Sequence, residues 1–263
     1  MSGFRFAKIL LACASVASLN SSANAALVHW TDWTTASVTG GFTAQGTITT
    51  TTSSVGVTYN NPAGIAFFQA SGGTDFWAQG GSGSLGRNPA RSPYTSDHVD
   101  NIPTGTDIIA LQFAGNQTLT FTEAIANPVF SYVSLNGNGY AFLNQDFEIL
   151  SFGGPGGGDN DFGYWGTGTS FKNVVNLGGG NFEYQLLGTG EPHGTIRFTG
   201  AFSTLTWRSL SNEFWNGFTV GVQGTAAEVF VPEPATLAIW LGASAACGVF
   251  VFRRKHGLAL RRN

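Results

Sequence analysis

Between residues 26 and 230 apolar and polar side chains alternate in short runs. The period of two is plain at 46–51 and 55–59, and returns at 108–113, 118–122, 129–133 and 147–152. Further runs follow at 182–186, 195–199, 205–207 and 218–222. Successive side chains of a strand point to opposite faces, so this alternation marks strands. The runs are rich in Val, Ile, Thr and aromatic residues, and Gly, Asn and Pro bound them. No stripe of helical period lies between them. Many short strands without crossover helices predict an all-β fold, an antiparallel sandwich of jelly-roll type. Two glycine-rich stretches, 69–106 and 153–168, interrupt the pattern and predict long loops. Neither carries the Gly-Lys-Ser/Thr of a phosphate loop.

The two ends read differently. Residues 1–25 have the layout of a cleavable signal peptide: Arg5 and Lys8, an apolar run from Ile9 to Leu19, then Ala23-Asn24-Ala25. Small side chains at Ala23 and Ala25 suit a signal peptidase, and the mature chain would begin at Ala26. At the other end, 235–252 contains no charge. As a single helix this run would span roughly 27 Å, close to a hydrocarbon core of about 30 Å. Arg253-Arg254-Lys255 follows at once. The positive-inside rule keeps the basic tail 253–263 in the cytoplasm and puts the domain 26–230 outside.

Just before the span stands Val231-Pro232-Glu233-Pro234. Its two prolines bar helix at Val231 and Glu233 and hold the segment extended, the form a protease most easily accepts. The order of Pro-Glu-Pro, apolar span and Arg253-Arg254-Lys255 resembles the PEP-CTERM sorting signal of Gram-negative bacteria, here residues 231–263. The resemblance implies recognition and processing by an exosortase, a membrane cysteine protease. The stretch from about 110 to 222 also resembles a β-sandwich recurrent in PEP-CTERM proteins. Its carrying residues include Asn127-Pro128-Val129-Phe130, Phe147-Glu148-Ile149-Leu150, Gly194 to Gly200 and Glu213 to Val222. That likeness implies a fold and no particular activity.

Composition narrows the function. Only 10% of the chain is charged, and 13% is aromatic. High aromatic content opposes disorder. The segment 26–230 holds fourteen acidic and five basic residues, a net charge of −9. Such a surface disfavours nucleic acid and anionic lipid. The two cysteines, Cys13 and Cys247, both lie outside it. The exported part therefore has neither a disulfide nor a cysteine metal site, and no cofactor is expected.

Candidate chemistry is sparse. Asp146 and Glu148 share one face of a strand, but Phe147 and Ile149 mark that face as the solvated one. Asp159, Asn160 and Asp161 offer hard oxygen ligands for calcium in a glycine loop, and Asp97 and Asp100 flank His98 in another. Trp77, Tyr164 and Trp165 lie in the loops and are the candidates for stacking on a sugar ring. Trp207 and Trp215 fall in strand patterns and are assigned to the core. His29, His98 and His193 have no zinc spacing, and no nucleophile elbow is present.

The expected protein is an exported, non-enzymatic component of the cell surface or exopolysaccharide matrix. Its expected partners are signal peptidase, an exosortase, membrane lipid through the C-terminal helix, and exopolysaccharide, with no nucleic acid. It would be held transiently in the cytoplasmic membrane before reaching the surface. The alternatives are a carbohydrate-binding β-sandwich module, calcium-assisted or not, and a secreted hydrolase.

Overall fold

A computed structural model describes residues 25–154 and 162–230. The fold is all-β, with two antiparallel sheets packed face to face. The first strands in the chain are β1 (His29–Trp30), β2 (Asp32–Ser37), β3 (Phe42–Thr49), β4 (Ser54–Asn61) and β5 (Phe67–Gln69). After a long loop come β6 (Ile108–Leu111), β7 (Gly115–Ala126), β8 (Val129–Val133), β9 (Gly139–Leu143) and β10 (Phe147–Phe152). The last are β11 (Gly168–Gly178), β12 (Asn181–Gly190), β13 (Gly194–Phe198), β14 (Ala201–Ser209), β15 (Asn216–Val222) and β16 (Gly224–Thr225). A short helix, α1 (Ala226–Phe230), closes the described chain.

The seven-stranded sheet runs β10-β13-β8-β15-β6-β5, with β1 on β15. The nine-stranded sheet runs β11-β12-β9-β14-β7-β4-β3-β2, with β16 on β7. Every run of alternation read from the sequence falls on a strand. Strands β2, β9 and β11 lie outside the runs of alternation read from the sequence.

The inner faces meet in one aromatic core. Phe130 stacks on Phe218 at 4.8 Å, and Trp207 stands edge-on to both. Trp207 is 3% exposed, the core position expected of it. Two buried polar side chains there are linked: Tyr59 Oη donates to Gln117 (2.6 Å), whose amide donates to Ser209 (2.6 Å). Interior hydrogen bonds of this kind remove the cost of burying polar atoms.

The 69–106 region is a loop as expected, with only two single-turn 3-10 helices, Gly81–Gly83 and Pro89–Arg91. It is nevertheless firmly packed. Trp77, Tyr94 and Ile102 form a second core against Ile108 and Val133, on the outer side of the seven-stranded sheet. Asp107 Oδ2 accepts the Trp33 N–H (2.8 Å), and the Trp77 indole donates to the Asp107 carbonyl (3.1 Å). These bonds fasten the loop layer to the sheets.

The end of the domain is pinned as well. Thr225 and Glu228 form a reciprocal capping box on α1: Thr225 N–H donates to Glu228 (2.6 Å), and Glu228 N–H donates to Thr225 Oγ1 (3.2 Å). The Glu228 carboxylate also accepts from Thr50 Oγ1 and from the Thr52 N–H, both at 2.8 Å, and from Thr52 Oγ1 at 2.5 Å. Burial opposes its charge, but these bonds outweigh burial and hold the carboxyl at about 2.

Candidate functional site

An aromatic cluster stands where the long loop meets the turns before β11 and β15. Phe76 is its hub, with ring centroids 4.9 Å from Trp215, 5.1 Å from Tyr164 and 5.4 Å from Trp165. Trp165 lies 4.9 Å from Trp215 and 4.7 Å from Tyr164, both nearly edge-on. Phe67 closes the base against Trp215 at 4.9 Å. Trp165 is 40% exposed, and Phe214, the next residue to Trp215, is 86% exposed. Edge-to-face packing holds Trp165 from behind and leaves part of its ring to solvent, the arrangement a stacking platform needs.

The turn that carries Tyr164 and Trp165 rests on a buried histidine. A Cβ built on Gly163 would fall 2.1 Å from the His193 ring, so only glycine allows this approach. His193 is fully buried, and burial lowers its pKa to about 3, leaving the imidazole neutral. Its Nδ1 accepts the Ser134 N–H (3.3 Å), so its proton sits on Nε2, which has no partner among the described residues. Ser82 N–H donates to the Tyr164 carbonyl (2.9 Å), tying the same turn to the long loop.

Glu213, two residues before Trp215, belongs to a network of polar side chains. Ser134 Oγ donates to Glu191 (2.6 Å) and accepts from Asn136 (2.9 Å). Asn216 donates to Glu213 (2.8 Å). Burial pushes the Glu213 carboxyl up to about 7, and the Glu191 charge adds to this against the bonds from Asn216 and Asn136. A carboxyl that gains or loses its proton near neutrality thus directly precedes the exposed Phe214.

The residues singled out from sequence are distributed as follows. Tyr164 and Trp165 join the cluster. Trp77 does not: it is 0% exposed, 5.1 Å edge-on to Tyr94, and cannot stack on an external ligand. The loop that bears it folds inward because Trp77 and Tyr94 bury more apolar surface than any exposed arrangement would. Trp215 is half-buried and supports the platform rather than the sandwich core. Asp146 and Glu148 are both exposed, and each is bound to its own cation, Lys172 (2.9 Å) and Arg197 (2.8 Å).

Asp97, His98, Asp100 and Glu148 border a cleft of about 730 Å³. Among the described residues no group of three or more His, Cys, Asp or Glu could hold a metal ion. Asp159, Asn160 and Asp161 lie outside the described residues, as do Ala23, Val231, Pro232, Glu233, Pro234, Arg253, Arg254 and Lys255. Among the described residues no helix is long and apolar enough to cross a membrane; the span 235–252 is not among them.

Comparison of the chain with protein-family models, with curated proteins and with solved structures gives no match.

Phe76 and Phe214 escaped the sequence reading.

Proposed function

We propose that this chain is an exported, non-enzymatic protein of the cell surface or exopolysaccharide matrix, delivered through a PEP-CTERM signal at 231–263 and processed by an exosortase. The observation that carries the reading is the tripartite tail: Val231-Pro232-Glu233-Pro234, an uncharged run at 235–252, and Arg253-Arg254-Lys255. The fold suits it. The capping box at Thr225 and Glu228 fastens the domain's end only three residues before Val231, so a protease working at the motif meets an anchored domain. The test is the mass of the mature protein from cell-surface and culture fractions. It should begin at Ala26 and lack the segment after about Pro234. Peptides containing Cys247 in released material would overturn exosortase removal. Glu233→Ala should leave the protein uncut in the cytoplasmic membrane.

The aromatic platform favours a second role for the same protein, as a carbohydrate-binding module. Trp165 presents an apolar face, and the Glu213 carboxyl lies two residues before its ring partner Trp215. Pyranose rings, apolar on one face and hydroxylated at the rim, match that mixture. A net charge of −9 directs the choice to neutral glycans. Retardation in gels containing neutral polysaccharide should be lost in the Trp165→Ala variant. Unchanged retardation would overturn this site. Calcium at Asp159, Asn160 and Asp161 belongs to the same reading, and chelation should then lower the melting temperature.

A further inference from the structure

The first residues after the expected signal-peptide cut are woven into the fold from the start. Ala26 pairs with Val99 as a parallel bridge, against the antiparallel grain of every strand pair. Its nitrogen lies 3.4 Å from the His98 carbonyl, and its carbonyl accepts the Asp100 N–H (3.1 Å). Two residues on, Asn101 clamps Val28 in both directions, accepting its N–H (2.8 Å) and donating to its carbonyl (2.9 Å). Val28, Trp30 and Val99 then bury together against Val129. The turn that receives Ala26 is tight, with Ser96 and Val99 exchanging two backbone bonds at 3.1 Å. Its exposed side chains include two carboxylates, Asp97 and Asp100, and the His98 carbonyl also accepts from Gln223 (3.2 Å).

As an amide, the Ala26 nitrogen has one proton to give, and at 3.4 Å it makes a slack bond. As a chain terminus it has three donors and a positive charge. We propose that signal-peptide removal completes this fold: the new α-ammonium of Ala26 seats on the His98 carbonyl and pairs with the carboxylates of Asp97 and Asp100. The proposal rests on the cleavage reading above. The step is a hydrolysis by signal peptidase. Water adds across the Ala25–Ala26 amide, Ala25 leaves as a carboxylate, and the Ala26 nitrogen takes up a proton. The uncut precursor has no charge at this point, so the turn carries two unmatched acids until export is finished. Mature chain and precursor then differ in stability through one charge at a defined place.

The test uses the exported protein. Inserting Gly-Ser between Ala25 and Ala26 keeps the Ala23-Asn24-Ala25 cut and moves the amine two residues from its seat. N-terminal sequencing should read Ala26 in the parent and Gly-Ser-Ala in the variant. The insertion should lower the melting temperature by about 2 °C, the scale of a partly exposed charge pair in a domain of this size. In an Asp97→Asn, Asp100→Asn background the insertion should cost nothing further. Both side chains are exposed, so that background leaves the packing intact. The Ala26 amine should also titrate above the ordinary range of about 7.7–8.0 in the parent and return to it in the Asn background. The charged and titratable groups on the turn that receives it are Asp97, His98 and Asp100. A start at another residue would overturn the cleavage reading and this proposal with it. A start at Ala26 with a neutral insertion, or an insertion cost undiminished in the Asn background, would overturn the proposal alone.

Discussion

Strands β15 and β3 sit in opposite sheets and are buried differently. All seven residues of β15 are buried, while the eight of β3 alternate between buried and accessible. The contrast extends to their neighbours: β6 and β8 are buried throughout, whereas β4 alternates like β3. One sheet therefore has a solvated outer face, and the other is covered on both sides along its central strands β6, β15 and β8. The cover is the loop layer of residues 70–106, with Trp77 and Tyr94 as its core, joined by Val28, Trp30 and Val99. A sheet face left open must be polar, but a face roofed by a loop can stay apolar if the loop brings its own hydrophobic residues. The aromatic platform lies at the margin of that roof, where Phe76 and Trp215 pass from the loop core to the surface.

The strongest way to break this contrast is to remove the roof's keystone. Trp77→Ala should cost about 3–5 kcal/mol in urea unfolding, the range for a large buried aromatic. It should also render Trp33 and Asp107 accessible to hydrogen exchange. A loss under about 1 kcal/mol would mean the loop is not a structural layer.

Protonation sharpens the comparison next. Burial raises Asp107 to about 6, against the bond it accepts from Trp33, and raises Glu213 to about 7. Both pKa values are higher in the fold than in the unfolded chain. Each group therefore costs stability as pH climbs from about 4 to about 7. His193 acts oppositely: its folded value of about 3 lies below the unfolded one, so stability is lost as pH falls below about 6.5. The Asp107→Asn, Glu213→Gln double variant should leave His193 in control. Its melting temperature should then rise with pH across 4–6.5, where the parent stays flat or falls. A parallel profile for both proteins would show that the two carboxyls do not feel their burial.

On the solvated side the effects should be smaller. Thr225→Ala removes one half of the capping box and should cost about 1 kcal/mol. The depressed Glu228 value adds stability above about 4.5 that is lost as pH falls toward 2, and Glu228→Gln should abolish that acid limb. Arg208 and Glu183 form a pair across the outer face of the nine-stranded sheet, with two contacts at 2.9 Å. Arg208→Ala should cost no more than about 0.5–1 kcal/mol, because the pair is part-exposed. Chemical denaturation of the three variants beside Trp77→Ala would rank the two faces directly.

What the sequence determined by itself was local. Period-two alternation at 46–51, 55–59 and 118–122 announced strands with one wet face, because that pattern depends only on which neighbours point the same way. The uncharged run at 235–252 and Val231-Pro232-Glu233-Pro234 were legible for the same reason: each is a property of adjacent residues. The tertiary structure decided whatever depended on distant partners. Trp77 looked available because it stands among glycines, yet Tyr94 and the Asp107 carbonyl draw it fully inside. Trp215 sat in a strand pattern, but Phe76 and Trp165 claim it for the surface cluster. The pairing of Ala26 with Val99 joins residues more than seventy positions apart, and no local pattern encodes it. Burial and pairing at such sites are set by what the rest of the chain places against them, and only the fold brings those partners together.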